Sequence, residues 1–136
     1  MSKEDKYLID VGIILRGEKL QPEHVSELLR LKPSRSQNKG GLRHGSKSVI
    51  AKTGVWTLMA ESNSKHILDR IDELLEMLSE IQIPLDKIDG VTESFLDIFI
   101  TSTEDNNESR AVELNLGKMH MQILCLLGLG LKVTYA

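Results

Sequence analysis

Hydrophobic spacing along this chain switches between period two and the helical period, and each switch predicts an element. From Tyr7 to Arg16, the residues Tyr7, Ile9, Val11, Ile13 and Leu15 share one face, with Leu8, Asp10, Gly12, Ile14 and Arg16 on the other. That pattern predicts a strand buried strongly on one side and partly on the other. Gly17-Glu18 breaks it. Pro22 and Glu23 then suit the first turn of a helix, where a missing N–H is tolerated and an acid meets the positive dipole end. Val25, Leu28 and Leu29 give this helix its apolar stripe, and Pro33 closes it. A polar stretch follows. Ser48–Lys52 and Val55–Ala60, joined by Thr53-Gly54, pattern as a hairpin, with Trp56, Leu58 and Ala60 on one face of its second strand.

Ser62-Asn63-Ser64 offers good helix caps, and Ile67, Leu68, Ile71, Leu74, Leu75, Leu78 and Ile81 then recur at helical spacing up to Pro84. Phe95–Ile100 alternates as a strand. Glu104–Glu108 reads as a solvated hairpin loop, and Val112, Leu114 and Leu116 as the returning strand. After Gly117 the helical period resumes through Met119, Ile123, Leu124 and Leu127, with Gly128 placed as a left-handed cap. Leu131, Val133 and Tyr135 alternate in a terminal strand. The expected fold is α+β: a ferredoxin-like sandwich with a mainly antiparallel sheet of about five strands and helices on one face. Residues 1–136 read as a single domain, with a basic loop, 32–52, inserted between the first helix and the second strand.

Composition changes this picture little, and charge changes it more. The chain is 40% hydrophobic and 27% charged, ordinary for a globular domain, while aromatics are only 4%. Cys125 is the one cysteine, which excludes an internal disulfide and fits a reducing compartment. The first residues lack the cation-then-apolar build of a signal peptide, and Ile123–Leu131 is too short for a bilayer, so a cytoplasmic protein without a membrane span is expected. Net charge is −3, but it is partitioned. Arg30, Lys32, Arg35, Lys39, Arg43, Lys47 and Lys52 lie in a stretch with no acid between Glu27 and Glu61. Elsewhere ten cations face all 20 acids.

The residues now carry a resemblance. Leu28-Leu29-Arg30-Leu31-Lys32-Pro33-Ser34-Arg35-Ser36, a Gly-rich polar stretch, Thr53-Gly54-Val55-Trp56-Thr57-Leu58 and the ending Leu127-Gly128-Leu129-Gly130-Leu131 resemble a family of small bacterial proteins. The family is catalogued as domain of unknown function 4279. The resemblance covers nearly the whole chain and implies a fold and a bacterial source. It supplies no catalytic residues.

Gly40–Ser48 has P-loop glycine spacing, but Ser46 interrupts the Gly-Lys-Ser run, no buried strand precedes it and β-branched Val49-Ile50 follow. Nucleic acid is not expected of an acidic domain with so few stacking aromatics. His24, His44, His66 and His120 show no ligand-pair spacing, so no metal or other cofactor is expected. Cys125 reads as a buried, unactivated thiol, and Asp69, Asp72, Glu73 and Glu76 as a solvated helix face. Asp97, inside a strand, calls for a cation, Arg16 or Lys132. No catalytic constellation is complete. The expected function is therefore non-catalytic binding: Arg35, Lys39, Arg43, His44, Lys47 and Trp56 form the candidate surface for an acidic protein partner, in the manner of an immunity or adaptor protein. A small phosphorylated or carboxylated ligand in the same region is the alternative. A homodimer through an edge strand, Tyr7–Arg16 or Leu131–Tyr135, is a third expectation.

Overall fold

A computed structural model describes residues 7–42, 49–62, 66–102 and 113–136. Among these described residues five strands form one sheet: β1 (Tyr7–Gly17), β2 (Arg35–Gln37), β3 (Gly54–Met59), β4 (Glu93–Ser102) and β5 (Gly130–Tyr135). Their spatial order is β2-β3-β1-β4-β5. β1 runs antiparallel to both β3 and β4, β2 antiparallel to β3, and β5 parallel to β4. Helices α1 (Pro22–Leu29), α2 (Ile67–Met77) and α3 (Lys118–Leu126) occur with a short 3-10 turn at Leu85–Lys87. This is a mixed α+β architecture.

Period two in β1 has the predicted consequence. Val11, Ile13 and Leu15 meet Leu58 and Trp56 of β3 and Leu96 and Ile98 of β4 on one face. The same apolar cluster takes in Val25 and Leu29 of α1, Ile71, Leu74 and Leu75 of α2, and Leu124 of α3. All three helices therefore pack on that face, and the other face of the sheet carries none of this core. Hydrophobic burial is the dominant favourable term here, at roughly 1.5–3 kcal/mol for each fully buried large aliphatic side chain.

Local signals hold at several ends. Pro22 occupies the first turn of α1, and Gly128 takes a left-handed backbone (φ +70°) after α3, where an added Cβ would also strike Asp86. The α1 terminus is less ordinary. Arg30 itself adopts the left-handed region (φ 56°), and the amides of Arg30 and Leu31 both donate to the Ser26 carbonyl.

Four expectations fail. Thr53-Gly54 is not a hairpin turn, because β3 pairs with residues 35–37 instead. Residues 113–116 form no strand; Leu114 and Leu116 rest partly buried against the core from an unpaired segment. Residue 112, the Glu104–Glu108 loop and Asn63-Ser64 lie outside the described residues. Tyr7–Arg16 is not an edge either, since β1 is the central strand and is paired on both sides. Cys125 is exposed, as are Met119 (72%) and Met121 (59%), because α3 buries only a narrow stripe around Leu124.

Candidate functional site: a basic ribbon and the open sheet face

The basic stretch leaves α1 at a corner fixed by hydrogen bonds. The Ser34 amide donates to the Thr57 carbonyl (2.8 Å), and the Ser34 hydroxyl accepts from the Met59 amide (2.8 Å). β2 then pairs with β3, and the two arms continue past it. Gly40 donates to the Ala51 carbonyl (2.9 Å), Ala51 to the Gly41 carbonyl (2.8 Å), and Leu42 bridges Ile50. Leu42–Ile50 is the pair that the Arg35–Thr57 register gives when each arm advances seven residues. The segment is thus a two-armed ribbon growing from the sheet. Residues after Ser48 are an extended arm, the wrong context for a phosphate loop, which opens a helix.

Trp56 anchors the ribbon from below. Its ring is fully buried and its indole N–H donates to the Ser26 hydroxyl (3.0 Å). A buried ring cannot touch a partner, so its place in the candidate surface is that of a support. Arg35 stands exposed on the open face of the sheet, level with Thr57, Ile14 and Phe95 across three neighbouring strands. Lys39 pairs with Glu18 (3.0 Å), and the Asn38 side-chain amide donates to Glu23 (3.3 Å), so the acids nearest the ribbon are at the β1–α1 junction. Both members of the Lys39–Glu18 pair are more than half exposed, which makes it worth about 0–1 kcal/mol. Arg43, His44 and Lys47 lie outside the described residues. Arg30, Lys32, Arg35 and Lys52 are exposed and take no ion-pair partner among the described residues.

Sequence reasoning missed the apolar content of this surface. Leu42 (59%), Val49 (47%) and Ile50 (62%) stand exposed on the two arms. The available signal was the pair of β-branched residues inside an otherwise polar stretch. A small cavity of about 190 Å³ lies against β2 and β3, lined by Arg35, Ser36, Gln37, Val55 and Thr57.

On the same open face Phe95 is almost fully buried beneath two cations. The Arg16 guanidinium lies 5.5 Å and the Lys132 ammonium 5.4 Å from the ring centroid. Arg16 Nε is itself buried and takes no hydrogen bond, while the guanidinium stacks over the ring. Burial raises the Asp97 carboxyl above its ordinary value of 3.8; Lys132 and then Arg16 pull it down, and Asp10 adds to the rise. Both cations expected beside Asp97 are therefore there. Two acids of α2 are engaged as well. Asp72 meets His120 of α3 (2.7 Å), and the Glu73 carboxylate accepts the amides of Glu61 (2.6 Å) and Ser62 (2.9 Å). Among the described residues no group of three His, Cys, Asp or Glu is placed to hold a metal ion, and no helix is long and apolar enough to cross a membrane.

Fold and surface together define a small α+β domain with a basic ribbon on one sheet edge. Residues 7–136 match Domain of unknown function (DUF4279), and the chain belongs to that family. No curated protein and no solved structure matches it. The residues that carried the resemblance have structural work here: Ser34 pins the corner, and Trp56 sits under it against Ser26.

Proposed function

We propose that this is a non-catalytic binding domain whose basic ribbon, residues 30–56, contacts an acidic protein partner in the manner of an immunity or adaptor protein. The observation that carries the reading is the separation of charge and its geometry. Arg30, Lys32, Arg35 and Lys52 stand exposed around a two-armed ribbon that also presents Leu42, Val49 and Ile50. Exposed apolar side chains together with exposed cations suit a protein surface better than a mobile metabolite, because both burial and electrostatic steering contribute. The protein we envisage is bacterial and cytoplasmic. Its sheet we read as ferredoxin-like: the antiparallel order β2-β3-β1-β4 with α1 and α2 supports this, and α3-β5 extends it.

The test is capture from a lysate of the source organism followed by titration of the purified partner. Arg35→Glu, Lys39→Glu and Arg43→Glu together should abolish binding while leaving the thermal midpoint of the chain close to wild type. Undiminished binding by the triple variant would sink the reading.

One observation favours a second reading, a small phosphorylated or carboxylated ligand. The cavity beside β2 is lined by Arg35, Gln37 and Thr57 together. Such a ligand should raise the thermal midpoint by mass action, and Arg35→Ala should remove that shift.

A further inference from the structure

β5 lies at the end of the strand order and pairs only with β4 among the described residues. The Ala136 amide donates to the Ile100 carbonyl (2.9 Å). Successive residues of a strand direct their backbone groups to opposite sides, so the amides and carbonyls of Leu131 and Val133 point away from β4. Those residues are level with Leu96 and Ile98, which puts their side chains on the helix-bearing face. Among the described residues that face is incompletely covered at this end. Leu131 (47%), Val133 (48%) and Tyr135 (59%) are exposed in a row. Beside them an apolar cleft of about 410 Å³ is lined by Leu114, Leu116, Met121, Leu124, Leu129 and Leu131.

Proteins ordinarily guard such an edge with an outward charge. Here the guard is turned inward: Lys132, the only charged residue of β5, reaches back over the Phe95 ring of its own sheet. Among the described residues no strand pairs with the outer side of β5.

We propose that β5 is a dimerisation edge and that its partner is a second copy of this chain, paired antiparallel about a two-fold axis at Val133. The strand's own chemistry selects both occupant and register. Centred on Val133, the pairing sets Val133 against itself, Leu131 against Tyr135 of the second copy, and Lys132 against Thr134. Centred on Lys132, it would oppose two ammonium groups, which is destabilising. In the chosen register the outward amide and carbonyl of Val133 meet their own copies, and the apolar rows of both chains cover one another. A ten-stranded sheet results, with the helices of both copies on one side. The strand is thus complementary to itself in backbone and apolar row, with no like charges opposed, which is why a second copy, rather than another protein's strand, is the occupant.

Analytical ultracentrifugation over a roughly hundredfold range of concentration tests this, since dimer population follows mass action. The wild type should reach twice the chain mass. Val133→Pro removes the outward amide without touching the β4–β5 ladder, so it should stay monomeric at every concentration with an unchanged thermal midpoint. Val133→Lys, which places two cations face to face, should do the same and serves if the proline variant does not fold. In a Cys125→Ser background, Val133→Cys should form a covalent dimer on mild oxidation, because facing Cα atoms fall within disulfide reach. Lys132→Cys, opposite Thr134, should crosslink far less. A wild type that sediments as a monomer throughout overturns the proposal, as does a dimer that survives both Val133 variants. Equal crosslinking at positions 132 and 133 overturns the register.

Discussion

Arg30 is the clearest place where one residue's backbone and side chain pull in different directions. A left-handed conformation costs an L-residue with a Cβ about 1–2 kcal/mol, yet the α1 terminus needs that conformation to return its last amides to Ser26. Arg30→Gly should therefore stabilise the chain by about 0.5–1 kcal/mol in urea unfolding, the gain being trimmed by the greater unfolded-state freedom of glycine. Weaker partner binding by the same, more stable variant would mark the arginine side chain as the reason for the strain. Asp97 is the second residue of this kind. Its folded carboxyl holds its proton to a higher pH than the unfolded value of 3.8, because burial outweighs the attraction of Lys132 and Arg16. The folded state then binds more protons through that window, so stability falls as pH rises from 3.8 through the folded value, and the cost persists above it. Asp97→Asn should accordingly raise the urea midpoint at neutral pH, with the difference closing once both forms are neutral in acid. Lys132→Met should push the Asp97 titration higher still, as read by NMR of the carboxyl carbon.

Among elements, the β2 corner shows what a sequence can and cannot announce. Ser34→Ala removes the acceptor of the Met59 amide and should cost about 0.5–1.5 kcal/mol, checked by the urea midpoint at unchanged slope. Nothing in the local pattern marks β2 as a strand. Its three residues, Arg35, Ser36 and Gln37, carry no apolar period, and only the ladder to β3 makes them one. Leu114 and Leu116 mislead in the opposite sense. Their alternation comes from an extended segment docking two side chains on the core, without a partner strand. β1 and α2 were legible because each buries one face strongly enough to imprint its period, while β5 alternates although its apolar row stays exposed. The candidate surface was legible only as charge. That Arg35 shares the open sheet face with Phe95, or that Trp56 is wholly enclosed, depends on cross-strand register, which periodicity does not encode.

Over the whole molecule, two candidate surfaces sit at opposite edges of one sheet, the basic ribbon beyond β2 and the apolar edge of β5. Their physics differs enough for one variable to separate them. Exposed cations such as Arg30, Lys32, Arg35 and Lys52 act over a Debye length, about 10 Å at 0.1 M salt and about 3 Å at 1 M. Association of an acidic partner with the ribbon should thus slow by at least roughly tenfold between low and high salt, with dissociation changing much less. Pairing of β5 with a second copy buries Leu131, Val133 and Tyr135 and uses backbone hydrogen bonds, so it should hold or strengthen in an excluded salt such as sulfate. Stopped-flow association of the purified partner, run beside sedimentation in the same buffers, reads both. Partner binding indifferent to salt would remove the ribbon as the contact surface and leave the β5 edge standing. Dissolution of the dimer by salt would place its interface among charged groups, away from β5.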